Sequence, residues 1–137
     1  MLSDSLVVQF PQIGSAAEGY ISVTEMGESC PFSIQRVYWI YGCPDRMQRG
    51  GHAHHKLEQM LVCVSGKVEA IFSDGFSKKS FLLNKPTVGL YQPPLVWGDL
   101  IYQKDSVLLV LASAPYLAKD YIRDYQDFCQ IARSLTD

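Results

Sequence analysis

The chain has 137 residues, of which 47% are hydrophobic and 19% charged, and its formal net charge at pH 7 is -2. That suits one soluble domain with a real core, and it excludes the strongly basic surface of a general nucleic-acid or anionic-membrane partner. No apolar run reaches the length a bilayer span needs.

Residues 6–10 predict a short strand, and Asp4 with no basic stretch ahead of it argues against a secretion signal. Residues 20–26 predict a second strand. Residues 34–41, rich in β-branched and aromatic side chains, predict a third that stops at the turn signal Gly42-Cys43-Pro44-Asp45. Residues 57–64 are nearly all apolar, as in a strand buried on both faces. Ser65-Gly66 turns into 68–72, Ser73-Asp74-Gly75 signals a hairpin to 79–83, and Asn84-Lys85-Pro86 turns again. Residues 88–92 end at Pro93-Pro94, and 97–103 and 107–112 form a last pair through Lys104-Asp105.

About nine short strands at spacings of roughly 8–12 residues predict an all-β antiparallel sandwich or barrel over about 5–113. After Pro115 the period changes. Ile122, Tyr125, Cys129 and Ala132 recur at helical spacing between Asp120, Arg123, Asp127 and Arg133, which predicts an amphipathic helix over about 116–134 on the barrel's outside. With no linker, repeat or low-complexity segment, 1–137 reads as a single domain. Cys30, Cys43, Cys63 and Cys129 have no C-x-x-C spacing and read as free thiols in a reducing cytoplasm, or simply as small apolar fillers.

The chemistry concentrates in Arg49-Gly50-Gly51-His52-Ala53-His54-His55-Lys56-Leu57-Glu58-Gln59, closed downstream by Gly66. All three histidines of the chain fall there. Side chains two apart on a strand share a face, so His52 and His54 point one way and His55 the other. Paired imidazoles suit a metal or a proton transfer near neutral pH; a loop with incidental histidines is the bland alternative.

His52-Ala53-His54, Gln59 and Gly66 resemble the first motif of the cupins, small antiparallel jelly-roll β-barrels. Metal-binding cupins read Gly-x5-His-x-His-x3-4-Glu-x6-Gly. Here the first glycine falls on Arg46 and the glutamate on Gln59, and Gly98 in Pro93-Pro94-Leu95-Val96-Trp97-Gly98 stands where the second motif has a histidine. A neutral amide and a hydrogen thus replace two of four expected donors. Two histidines alone hold Zn or Fe weakly, and Glu58 could substitute only with a register shift that turns its neighbours to the wrong face. The expectation is a barrel without metal or other cofactor.

One branch matches more closely. Phe32-Ser33-Ile34-Gln35-Arg36-Val37-Tyr38-Trp39-Ile40-Tyr41-Gly42, the Arg49 to His54 stretch, Leu57-Glu58-Gln59, Pro93 to Trp97, Val107 to Ser113 and Asp120-Tyr121-Ile122-Arg123-Asp124-Tyr125 resemble, in order, the dTDP-4-keto-6-deoxyglucose 3,4-ketoisomerases, or WxcM-like sugar isomerases. The resemblance implies a metal-free homodimer whose subunits exchange N-terminal strands. It also implies an isomerase that moves the keto group of a dTDP-linked 4-keto-6-deoxyhexose from C4 to C3, ahead of amination and acylation for bacterial surface polysaccharide.

Such a tautomerisation runs through an enediol. It needs a group titrating near pH 7, a donor for the developing enolate oxygen and exclusion of water. His52 is the expected base between C3 and C4, with His54 orienting it or serving a sugar oxygen. Tyr38 is the expected donor to the oxygens, with Arg36 and Ile40 on its face; a core tyrosine with a satisfied hydroxyl is the alternative. Arg36 and Arg49 are candidates for the pyrophosphate, Trp97 for stacking on a base or sugar, and Gln59 for a sugar hydroxyl or for orienting His52. The competing readings are a metal-dependent cupin enzyme, a non-catalytic nucleotide-sugar-binding cupin, and a related 3,5-epimerase. These residues do not fix the product's C4 stereochemistry.

Overall fold

Period-two hydrophobicity draws most of the chain into strands. The computed structural model describes residues 2–135. After a 3-10 turn at Asp4–Leu6 come β1 (Val7–Gln9), β2 (Gln12–Ser15), β3 (Gly19–Ser22), β4 (Arg36–Ile40), β5 (Met47–His54), β6 (Gln59–Ser65), β7 (Val68–Ser73), β8 (Lys78–Leu83), β9 (Val88–Gln92), β10 (Trp97–Tyr102) and β11 (Val107–Ala112). A second 3-10 turn (Ala118–Asp120), β12 (Tyr121–Ile122) and α1 (Tyr125–Ser134) follow. The strands form two five-stranded sheets, β1-β9-β6-β11-β4 and β12-β5-β10-β7-β8, and a separate β2-β3 hairpin.

The inward faces of the two sheets share one core. Leu61, Cys63, Leu90, Leu108 and Val110 of the first meet Val68, Ala70, Phe72, Phe81, Leu83 and Tyr102 of the second. Fully burying a side chain of this size contributes about 1.5–3 kcal/mol. Each sheet also has an outer cover. Cys30, Phe32 and Ile34 pack on Met60, Val62 and Leu111 of the first sheet, so β6 is apolar on both faces. Phe128, Cys129 and Ala132 of α1 pack on Ala53 and Trp97 of the second.

The helix is shorter than the periodicity predicts. Tyr121 and Ile122 pair with β5 as a strand, and the Asp124 carboxylate caps α1 by accepting from the Asp127 amide at 3.0 Å. Ile122 still joins the α1 cluster, from the sheet rather than from the helix. The strands β2, β5 and β12 go beyond the predicted series, and the strand predicted at 20–26 is confined to β3. The chain from Val23 to Gln35 instead runs without regular strand over the first sheet. All four cysteines are buried free thiols. Among the described residues no helix is long and apolar enough to cross a membrane.

Candidate active site

The histidine strand owes its orientation to a bulge. Along β5 and β10, Leu100 lies opposite Arg49, Asp99 opposite Gly50, and Gly98 opposite His52. Gly51 is therefore an extra residue on β5. Gly50 and Gly51 have φ of +88° and +74°, a region that side chains with a Cβ rarely occupy. A Cβ on Gly50 would also lie 2.8 Å from the Gly98 carbonyl oxygen. Arg49 and His52, three apart, would face opposite ways on a regular strand. The bulge returns both to one side, where they line a cavity of about 120 Å³ with Tyr38, Gln59, Gln92 and Tyr102.

The facing wall comes from the first sheet. Arg36, Tyr38 and Ile40 of β4 lie opposite Ala112, Val110 and Leu108 of β11, and Gln59 lies between Ala112 and Gln92. The Gln59 amide donates to the Tyr38 hydroxyl oxygen at 2.9 Å. That bond occupies an acceptor site of the hydroxyl and leaves its own O–H free to donate. Burial raises the Tyr38 pKa against the opposing Gln59 bond, so the phenol keeps its proton. The Arg36 guanidinium lies 5.1 Å from the Tyr38 ring centre and 5.8 Å from that of Tyr116. Its Nε and Nη2 are buried without a hydrogen-bond partner. Unpaired buried donors on a cation are costly, and here they leave a fork open to an incoming anion.

The imidazoles sit close together, with ring centres 4.9 Å apart. His52 is half-buried and lines the cavity. His54 is buried behind it, and its Nε2 has no hydrogen-bond partner. Burial lowers the His52 pKa, as does Arg123; the Gly50 backbone hydrogen bond and Asp99 oppose this. Burial, then the neighbouring His52, pushes His54 down to about 4, with Asp120 opposing and Arg36 and Arg123 adding to the fall. Both rings are therefore neutral at pH 7. A neutral His52 ring carries one N–H, which the Gly50 backbone is placed to accept, and one nitrogen lone pair.

Trp97 corrects the expectation made for it. Its indole is buried under α1, 5.2 Å from Tyr125 and 5.7 Å from Phe128 between ring centres, and its Nε1 donates to Asp99 at 3.3 Å. It faces away from the cavity and has no free ring face for a substrate. Arg36, Tyr38, Arg49, His52 and Gln59 do converge, with His54 in support. Glu58 points outward and accepts from the Tyr91 hydroxyl. At Gly98 a Cβ would lie 3.0 Å from the Gln92 amide nitrogen and 3.3 Å from the Phe72 ring, so a side chain there needs those neighbours to give. Among the described residues no group of three or more His, Cys, Asp or Glu is arranged to hold a metal ion.

Two contributors escaped the sequence-based reading. Gln92 lines the cavity and donates to the Val96 carbonyl at 2.9 Å; its pairing with Gln59 was the missing signal. Tyr121 touches both imidazoles, with ring centres 5.0 Å from His52 and 4.5 Å from His54. It was hidden inside a helical pattern.

The cavity thus joins a neutral imidazole, a protonated phenol held by an amide, and the Arg49 guanidinium, with Arg36 against the Tyr38 ring. This set can move a proton between adjacent carbons and steady an enolate oxygen beside an anion.

The chain is similar to known sugar isomerases. A family model described as FdtA: WxcM-like, C-terminal, matches residues 3–133. The TDP-4-oxo-6-deoxy-α-D-glucose-3,4-oxoisomerase of Aneurinibacillus thermoaerophilus is 40% identical over 126 residues, 91% of this chain and 90% of that protein. The structure of QdtA, a sugar 3,4-ketoisomerase from Thermoanaerobacterium thermosaccharolyticum in complex with TDP, is similar with a TM-score of 0.90 at 37% identity, covering 94% of each chain. WlaRA, a TDP-fucose-3,4-ketoisomerase from Campylobacter jejuni, gives a TM-score of 0.88 at 32% identity, covering 96% of this chain and 97% of the other.

Proposed function

The chain belongs to the FdtA family of WxcM-like, C-terminal proteins, and from that premise we propose how it acts. It is a TDP-sugar 3,4-ketoisomerase, an isomerase that carries the keto group of TDP-4-keto-6-deoxyglucose from C4 to C3. The C4 carbonyl acidifies the proton on C3. In the proposed route His52 removes that proton through its free ring nitrogen, while the Tyr38 O–H protonates the C4 oxygen. The resulting enediol loses the C3 hydroxyl proton to Tyr38, and the His52 imidazolium delivers its proton to C4. Protons taken and given balance, so the step needs no external acid or oxidant.

The observation that carries this reading is the joint lining of one small cavity by His52 and the Gln59-bound Tyr38. Gln59 steadies the phenol as its charge varies, and His54 supports His52 from behind. The open donors of Arg36, with Arg49 at the cavity, are proposed to hold the diphosphate.

We also propose a homodimer with exchanged N-terminal strands. The β2-β3 hairpin is exposed throughout, Ile13, Tyr20 and Ile21 included, and β4 ends its sheet with Val37 and Trp39 exposed. The proposed setting is the cytoplasm, which suits four free thiols. There the product would be aminated and acylated for surface polysaccharide such as O-antigen or S-layer glycan.

The test is a proton NMR time course with TDP-4-keto-6-deoxyglucose in deuterated water, beside a His52→Asn variant. New 3-keto signals and deuterium in the ring, both lost in the variant, support the mechanism and reveal the C4 configuration. Turnover preserved in His52→Asn would overturn the assignment of the base. Exchange at C3 and C5 without keto transfer would indicate an epimerase instead.

A further inference from the structure

Tyr121 sits on a two-residue strand whose only evident purpose is its pairing. β12 pairs with the end of β5, Tyr121 opposite His54 and Ile122 opposite Ala53. Directly opposed side chains share a face, so Tyr121 falls on the histidine face while Ile122 and Ala53 pack beneath α1. The Tyr121 ring meets His54 at 4.5 Å and 72°, and His52 at 5.0 Å and 56°. One aromatic ring therefore touches both imidazoles.

Tyr121 is itself held from several sides. The Asp120 carboxylate accepts from the Lys56 and Leu57 amides at 3.0 Å each, and the Asp120 carbonyl accepts from the His55 amide at 2.9 Å. These bonds tie β12 to the turn that follows the histidines. The Arg123 guanidinium lies 4.5 Å from the Tyr121 ring centre, and the Tyr116 ring 5.4 Å away.

We propose that Tyr121 is a positioning residue: it fixes the His52 and His54 rings against each other and keeps water from them, so that the His52 lone pair is presented to the substrate carbon. The consequence for rate rests on the acid–base role proposed for His52; the bracing is readable without substrate. The charged and titratable groups facing the pair are Asp99 on β10, Arg36 and Tyr38 on β4, and Asp120 and Arg123 flanking Tyr121. Without the Tyr121 ring, water reaches both imidazoles, and a hydrated imidazole titrates nearer its ordinary pKa of about 6.5.

The experiment is an NMR titration of the imidazole resonances without substrate, paired with kcat and KM, in the wild type, Tyr121→Phe, Tyr121→Leu and Ile122→Val. Tyr121→Leu is expected to raise both midpoints toward 6.5 and to lower kcat by about tenfold or more with KM within about threefold. Tyr121→Phe, which keeps the ring, should restore midpoints and kcat to near wild type. Ile122→Val, on the opposite face, should lower Tm without moving the midpoints. Unchanged midpoints and kcat in Tyr121→Leu overturn the proposal. So does a Tyr121→Phe variant as impaired as Tyr121→Leu, since the effect would then belong to the hydroxyl. If Tyr121→Leu does not fold, Tyr121→Met carries the same comparison with less lost volume. Shifted midpoints in a protein with no ketoisomerase turnover even as wild type would support the bracing and overturn the acid–base reading instead.

Discussion

The role proposed for Tyr38 sets two opposed demands, a hydroxyl acidic enough to protonate an oxygen and basic enough to take a proton back. Gln59 resolves this by donating at 2.9 Å to the oxygen rather than accepting from the proton. Tyr38→Phe should therefore lower kcat by about 10²–10³-fold, a usual range for a lost acid or oxyanion donor. It should also cost about 1–3 kcal/mol of stability, because the Gln59 amide loses its partner; steady-state kinetics and urea denaturation measure the two. The histidines set a pH dependence whose sign follows from their lowered pKa values. Above about 6.5 both are neutral, folded or unfolded, and contribute nothing. As pH falls from 6.5, the unfolded chain binds protons that the folded chain refuses, so stability is lost. For His54, with a folded pKa of about 4, the loss reaches roughly 3 kcal/mol by pH 4. Urea midpoints across pH 4–7 should fall steadily toward acid. The acid limb of kcat/KM should lie below 6.5.

At the scale of elements, legibility followed the length and regularity of the pattern. β6 and β11 were readable because their apolar runs have no other use than double-sided burial. β5 was readable only at its histidines, whose faces follow a strand's alternation, because Gly50-Gly51 looks like loop sequence and is in fact a bulge. β12 was invisible, since two residues carry no period and Ile122 happens to fit the helical one. Trp97 was misjudged although the clue was present. If Gly98 stands in an inward position, period two sends Trp97 outward. Trp97→Ala should thus cost about 3–5 kcal/mol of stability, as for a large buried aromatic, while KM for the nucleotide sugar stays unchanged below the unfolding transition. Gly50→Ala should do the converse. Strain at φ +88° and the contact with the Gly98 carbonyl would unseat the bulge, and activity should fall more steeply than Tm.

Across the whole molecule, the barrel is layered. Leu61, Leu90, Leu108 and Phe72 fill an apolar layer, and Arg36, Gln59, Gln92 and the histidines gather at the other end. The apolar layer supplies rigidity that a reaction moving a proton between neighbouring carbons demands. The proposed dimer gives the outer apolar residues a use. Sedimentation equilibrium should give a dimer, and Ile21→Lys combined with Trp39→Lys should give monomers. Persistent dimers in that variant would redirect attention to another surface.

The crowded space at Gly98 bears on the routes open to this sequence under mutation. Restoring a histidine there, by chance or by design, places its first carbon against the Gln92 amide and the Phe72 ring. The single change therefore requires Gln92 and Phe72 to give by a few tenths of an ångström. Gln59, the other position where a metal-binding barrel has a donor, is already bonded to Tyr38. A side chain at position 98 thus competes for space with the Gln92 amide, which the Val96 carbonyl already holds at 2.9 Å.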